Sequence, residues 1–339
     1  MKRTLLLGAA LMSPALVEAH PHAGVPSGGE PLTIAVQTGK GKHLYENVPW
    51  WGTKENTGVG RTNGGVALDK AGRVYFSTDT PDGILIFQPD GKKVGKIGPS
   101  QVHDLFIREE DGHEYIWASH TGGKRLVKMD LAGKEVFTIP NEKTGDVKGG
   151  FKGVTAADIG PDGSIYVAIG YGSNFIHKFD ASGALLKSFG GRGKGDGQCN
   201  TCHGLAIDHR FDPPRVLVAD RENGRLTHFD LDGDWIGVVA DGLRRPTDLA
   251  FRGEVVAVTE LAGGVKILDK EGKVIALLGE NPNPKQRGQN GVKPAECAPA
   301  HFTAPHGLAY DRSGNLYVQD WNAHGRITKL VKVEPGSQN

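Results

Sequence analysis

One phrase recurs along the chain and constrains its fold more than any other feature. Gly65-Val66-Ala67-Leu68-Asp69 returns as Gly204-Leu205-Ala206-Ile207-Asp208 and again as Gly307-Leu308-Ala309-Tyr310-Asp311. Each copy leads through a turn into a run rich in β-branched and aromatic residues, such as Val74-Tyr75-Phe76 or Leu316-Tyr317-Val318, which reads as a second strand. A third strand ends in a turn of the form Asp-x-x-Gly, as in Asp130-Leu131-Ala132-Gly133, Asp180-Ala181-Ser182-Gly183 and Asp230-Leu231-Asp232-Gly233. Glycine there meets the turn's demand for positive φ. A fourth apolar stretch, such as Leu185-Leu186-Lys187-Ser188-Phe189, closes the unit.

Aligning the units on the start of the first strand brings Gly64, His103, Thr155, His203, Thr247 and His306 to one equivalent position, at spacings of about 39 to 59 residues. Six such units predict an all-β fold, a six-bladed β-propeller of four-stranded blades over residues 61–333, with 334–339 as a tail. A seventh blade would have to come from residues 20–60, where no unit is recognisable. The last unit has only three strands, so an N-terminal strand is expected to close the ring, with Leu32-Thr33-Ile34-Ala35-Val36 as the donor. Closure of this kind removes an exposed sheet edge.

Composition fits a turn-dense globular chain. Fifty glycines in 339 residues are about twice ordinary usage, while 38% apolar residues leave enough for a core. Forty basic against 39 acidic side chains give a net charge of +1, which argues against a nucleic-acid or polybasic membrane role. Three cysteines exclude a disulfide-dense scaffold. Lys2 and Arg3 precede an apolar run from Leu5 to Leu16, and Val17-Glu18-Ala19 offers small residues for cleavage, so residues 1–19 read as a signal peptide. The expected location is periplasmic or extracellular, with no membrane span after signal removal and residues 20–60 as an N-terminal segment.

The first strand of each blade is innermost in a propeller, so the aligned ring position faces the central axis. Histidine stands there in units two, four and six, about 120° apart, and thirteen histidines in the whole chain make that alternation hard to reach by chance. His103, His203 and His306 are therefore the candidate metal ligands, a facial set of imidazoles with one open position. Such donors suit zinc first, with other divalent transition metals next. The loops between second and third strands share this mouth and carry His120, Tyr171, Arg221 and Trp321. A phenol beside a cation can act as a base, and a guanidinium can clamp a carboxylate.

The stretch from Ile169 to Asp230, with Gly170-Tyr171, Ser188-Phe189-Gly190, Cys202-His203-Gly204-Leu205-Ala206 and Val218-Ala219-Asp220-Arg221-Glu222-Asn223-Gly224-Arg225, resembles the lyase domain of peptidylglycine α-amidating enzymes. More loosely, residues 60–333 resemble the NHL-repeat family. The stronger resemblance implies a carbon–nitrogen lyase that cleaves peptidyl-α-hydroxyglycine into a peptide amide and glyoxylate. By that resemblance His103, His203 and His306 bind zinc, Tyr171 is the base toward the substrate hydroxyl, and Arg221 meets substrate or transition-state charge. The chain departs from the family at two points. Ser77-Thr78-Asp79 stands where the family's first blade has an active-site arginine, which makes Arg244 or Arg245 the candidate substitute. Gly307 stands where the family has an aspartate associated with a channel calcium, and Asp104, after His103, is the candidate substitute. The NHL resemblance alone implies a second reading, a non-catalytic propeller that binds a protein or small ligand.

Cys199-Asn200-Thr201-Cys202-His203 also fits a c-type haem attachment motif. His203 is already accounted for by the ring alignment, which weighs against haem c. A disulfide is the plainer reading, between Cys199 and Cys202 or from either to Cys297, and the sequence leaves these pairings open. The loop from about Gly279 to Ala304 is the longest connection, either a substrate lid or a surface excursion.

Overall fold

A computed structural model describes residues 34–49, 51 and 59–334. The expected signal peptide and residues 32 and 33 lie outside them. The chain forms six antiparallel sheets arranged as blades of a ring, five of them built from four consecutive strands and the sixth from strands of both ends of the chain. Blade 1 starts at Thr62–Leu68, blade 2 at Val102–Glu110 and blade 3 at Ala156–Ile159. Blades 4, 5 and 6 start at Cys202–Asp208, Pro246–Arg252 and Pro305–Tyr310. Helix is nearly absent: among the described residues the one helical element is a 3-10 turn, Pro294–Glu296, and no helix is long and apolar enough to cross a membrane.

The Asp-x-x-Gly turns form as their chemistry dictates. Gly133, Gly183 and Gly233 take φ of +86°, +87° and +81°. The preceding carboxylate folds back onto backbone N–H groups, so that Asp130 Oδ1 accepts from Ala132 and Lys134, both at 2.9 Å. Asp180 and Asp230 repeat the pattern with Ala184 and Asp234, at 3.0 and 2.8 Å.

An N-terminal strand does close the ring, but from a different segment than the apolar run suggests. His43–Asn47 pairs antiparallel with Arg326–Lys332 of blade 6, and Gln37–Lys40 adds a fifth strand outside it. Residues 34–36 are not in a strand. The reason is packing: Tyr45, 2% exposed, inserts among Phe302, Leu316 and Leu330, an anchor that a search for continuous apolar residues passes over.

Each of the six blade-to-blade seams has its own apolar cluster. Tyr166, Phe189, Val218 and Phe229 fill the seam of blades 3 and 4. Trp51, Phe76, Phe87 and Tyr317 fill the seam where blade 6 meets blade 1. Each fully buried side chain of this size contributes about 1.5–3 kcal/mol, so the seams hold the ring independently of anything on its axis. The Gly279–Ala304 loop is tied down against blade 6. Gly288 N–H donates to Thr303 O at 2.6 Å, Asn322 Nδ2 to Val292 O at 2.9 Å, and Ala323 N–H to Asn290 O at 2.8 Å.

Candidate metal centre

Each ring histidine is the extra residue of a β-bulge. In blade 2, Val102 pairs with His120 and Asp104 with Ser119, so His103 has no cross-strand partner. His203 stands likewise between the pairs Cys202–Asp220 and Gly204–Ala219, and His306 between Pro305–Asp320 and Gly307–Gln319. A bulge re-aims the side chain it carries. Here it turns all three rings to the axis, with centroids 4.5, 4.6 and 4.8 Å apart and exposures of 4, 2 and 3%. One nitrogen from each lies within 4.8 Å of the others, so the three could hold a metal ion.

The residues at the alternate ring positions orient the rings. His103 Nδ1 lies 2.7 Å from Thr155 O and His203 Nδ1 2.9 Å from Thr247 O. A carbonyl only accepts, so both Nδ1 atoms carry the proton and both Nε2 atoms keep a free lone pair. Metal-binding histidines are oriented in the same way. The threonine hydroxyls continue the belt. Thr155 donates to Cys202 O at 2.8 Å and Thr247 to Pro305 O at 3.2 Å, in each case fixing the residue before the next histidine.

Tyr171 caps this group from the loop after the second strand of blade 3. Its hydroxyl lies 2.9 Å from His103 Nε2 and 2.8 Å from His203 Nε2, and it accepts from Arg221 Nη1 at 3.2 Å. A phenol has one proton to give, yet two lone-pair nitrogens face it. The site is therefore one positive charge or one proton short, and its donor set fits a cation. The imidazoles do not supply that proton themselves. Burial holds His103 down to about 4 and pushes His203 and His306 well below their usual value, where neighbouring imidazoles and Arg221 push His203 further. Burial raises the Tyr171 phenol, and Arg221 opposes that rise.

Close backbone approach explains the glycines after His203 and His306. An ideal Cβ at Gly204 would overlap Thr247 O, and one at Gly307 would overlap the Gly64 carbonyl. An aspartate therefore has no room at position 307. Asp104 and Asp248 instead reach a void of about 10 Å³ beneath the imidazoles, room for a single water-sized occupant. Burial and their mutual repulsion raise the Asp104 carboxyl, while burial takes Asp248 to about 7. Asp248 also clips blades together, accepting from Leu249 N–H at 2.8 Å and Leu308 N–H at 3.0 Å.

A charged cluster borders the mouth beside Tyr171. Arg221 Nε and Arg245 Nη2 each lie 2.8 Å from the same oxygen of Glu222. Of the two arginines entering blade 5, Arg245 is thus the one near the site, whereas Arg244 pairs with Glu260 and Glu280. In the first blade, Ser77 and Thr78 are fully buried. His120 packs on Gly123 of its own turn, and Trp321 N–H donates to Ala304 O. Neither makes a hydrogen bond or ring contact to the three histidines among the described residues.

The haem reading fails on geometry. Cys199 and Cys202 are 0% exposed in the apolar seam of blades 3 and 4, and His203 is turned into the axis. All three cysteines are free thiols, and burial raises each, Cys202 to about 12.

No protein-family model matches the chain. By sequence it is 24% identical over 273 residues to the peptidylglycine alpha-amidating monooxygenase of Rattus norvegicus, covering 75% of this chain and 26% of that protein. It is 24% identical over 205 residues to the probable peptidyl-alpha-hydroxyglycine alpha-amidating lyase pgal-1 of Caenorhabditis elegans, covering 58% of this chain and 55% of that one. The chain is a six-bladed β-propeller whose sequence resembles the amidating lyases. It spans about a quarter of the length of the rat protein and about half that of the worm one. By fold it superposes on a gluconolactonase from Xanthomonas campestris at 12% identity and TM-score 0.62, covering 91% of this chain and 99% of that one. It also superposes on virginiamycin B lyase from Staphylococcus aureus at 15% identity and TM-score 0.55, covering 87% of this chain and 100% of that one. At such identities the likeness to the amidating lyases comes from sequence, and the superpositions speak to the propeller alone.

Proposed function

We propose that this chain is an exported, zinc-dependent carbon–nitrogen lyase that cleaves a small-molecule or peptide α-hydroxyglycine substrate into an amide and glyoxylate. The observation that carries the reading is the proton-short cluster of three buried imidazoles, the Tyr171 hydroxyl and the Arg221 guanidinium at one channel mouth. The sequence likeness to the amidating lyases favours this reaction over others a propeller could host. An all-imidazole donor set favours zinc, and the pattern of residues 1–19 is the ground for export.

His103, His203 and His306 would hold the cation, which would supply Lewis-acid stabilisation of negative charge on a substrate oxygen. Tyr171 takes the proton of the carbinol hydroxyl. The Arg221 guanidinium beside it favours the phenolate against the effect of burial. As the C=O of the aldehyde forms, the adjacent C–N bond breaks, and its electron pair leaves on nitrogen, which takes the proton held by Tyr171 to become the amide. Arg221 and Arg245, which share Glu222 at this mouth, are the guanidiniums assigned to a substrate carboxylate, a charge their planar geometry suits.

Glyoxylate release from an α-hydroxyglycine peptide by the zinc-loaded chain tests the reaction. Equimolar amide and glyoxylate are expected. A second reading, a propeller that binds a ligand or protein without chemistry, draws on the first blade, where buried Ser77 and Thr78 stand and no arginine does. Metal binding with no glyoxylate would favour it.

A further inference from the structure

The belt that orients the imidazoles runs from blade 2 to blade 6 and stops there. His103 and His203 each reach a carbonyl of the following blade, but His306 Nδ1, buried with its ring, has no hydrogen-bond partner among the described residues. The ring residue of the next blade is Gly64, which has no hydroxyl to extend the belt. Gly64 instead packs directly on the His306 ring. Its φ of +123° favours glycine, and a Cβ there would overlap Nδ1.

The residue opposite the ring position differs from blade to blade, and in blade 5 it is Thr259, whose hydroxyl reaches His306 O of blade 6 at 3.2 Å. The residue opposite the bulge is Ser119 in blade 2 and Ala219 in blade 4, both too short to leave their own blade. In blade 6 it is Gln319, which is 0% exposed and crosses to blade 1. Its Oε1 accepts from Gly64 N–H at 2.8 Å, and its Nε2 donates to Ser77 O at 2.8 Å. Ser77 Oγ in turn accepts from Gly65 N–H at 2.8 Å. A buried amide that bonds Gly64 and the strand Val74–Thr78 beside it fixes that peptide, and the Gly64 peptide is the wall against which His306 rests.

We infer that Gln319 is a positioning residue for the third metal ligand, acting through Gly64 to seat His306 where its sister rings are seated by carbonyls. This rests on the metal-centre reading. Partners that bond a ligand directly are worth about 10–100-fold in metal affinity, and Gln319, one contact further out, is expected at the lower end of that range. A purely structural role would lower the melting temperature of the metal-free protein and leave metal affinity alone.

The test uses the full chain and Co²⁺, read by chelator competition and by the visible spectrum, which reports ligand geometry. The variants are Gln319→Met, which removes both hydrogen bonds, and Gln319→Asn, which is one methylene short of reaching both partners. Folding is checked by far-UV circular dichroism, and the Asn variant serves if the Met variant fails to fold. The inference requires one Co²⁺ per wild-type chain, with affinity weakened about tenfold or more and an altered spectrum in a folded variant. Unchanged affinity and spectrum in a folded variant overturn the role of Gln319 and leave the metal centre standing. Wild-type protein that takes up no Co²⁺ overturns both.

Discussion

Replacing His203 by alanine separates the metal centre from the fold that carries it. The ring is 2% exposed, lies 2.9 Å from Thr247 O through Nδ1 and faces the Tyr171 hydroxyl at 2.8 Å through Nε2. Removing it strands one buried carbonyl, which costs about 1–3 kcal/mol. No charge is lost, because burial keeps the imidazole neutral. The six seam clusters do not include His203, so the core is untouched. For a propeller of this size, with an unfolding entropy of about 2.1 cal/mol/K per residue, about 2 kcal/mol corresponds to a fall of roughly 3–4 °C in the metal-free melting temperature. The effect on metal is larger. An outer partner alone is worth about 10–100-fold, so loss of a ligand costs more than that. A ligand present at 1,000 times its Kd stabilises a protein by about 4 kcal/mol, so added zinc should raise the wild-type melting temperature and leave that of the variant unmoved. The assay is a thermal melt with and without zinc, alongside metal analysis after equilibration with a weak chelator. A variant that keeps full metal occupancy and the zinc-dependent shift refutes the assignment of His203 as a ligand.

Tyr171→Phe should lower glyoxylate release by about 10²–10⁴-fold while changing zinc affinity only slightly, since the phenol is assigned proton transfer and not ligation; unchanged turnover removes it from the mechanism. Gly307→Ala should be strongly destabilising, beyond the usual 1–3 kcal/mol of overpacking, because the added Cβ meets the Gly64 backbone carbonyl and not a movable side chain; a native melting temperature would contradict that geometry. Burial lowers His177 to about 4, so the unfolded chain takes up its proton first and stability drains away as pH falls from 6.5 toward 4. The stability gap between wild type and His177→Phe in urea should therefore shift by about 2 kcal/mol in favour of the variant between pH 7.5 and 5, and a constant gap would contradict it.

The blades were legible in the sequence because their determinants are local. Asp130 and Gly133 sit three residues apart and make their turn with their own backbone, and three of the six units repeat the same first-strand phrase. The convergence of the three histidines followed from counting ring positions alone. What the sequence did not disclose depends on register between distant strands. The bulges at His103, His203 and His306 are visible only once each strand is paired. Thr155 and Thr247 act on the histidines through main-chain carbonyls, which carry no sequence signal. The closing strand was misplaced because Leu32–Val36 is the more apolar run, while His43–Asn47 is held by Tyr45 against blade 6. Glu222, which joins Arg221 to Arg245, lies beside an arginine in sequence but gains its second partner only across blades 4 and 5.

X-ray absorption at the zinc edge of the purified full chain tests the central claim most directly. The account predicts about one zinc per chain in a first shell containing three imidazole nitrogens at roughly 2.0–2.1 Å. A chain that binds no first-row metal after equilibration with zinc, or one whose metal is bound through sulfur, would contradict it.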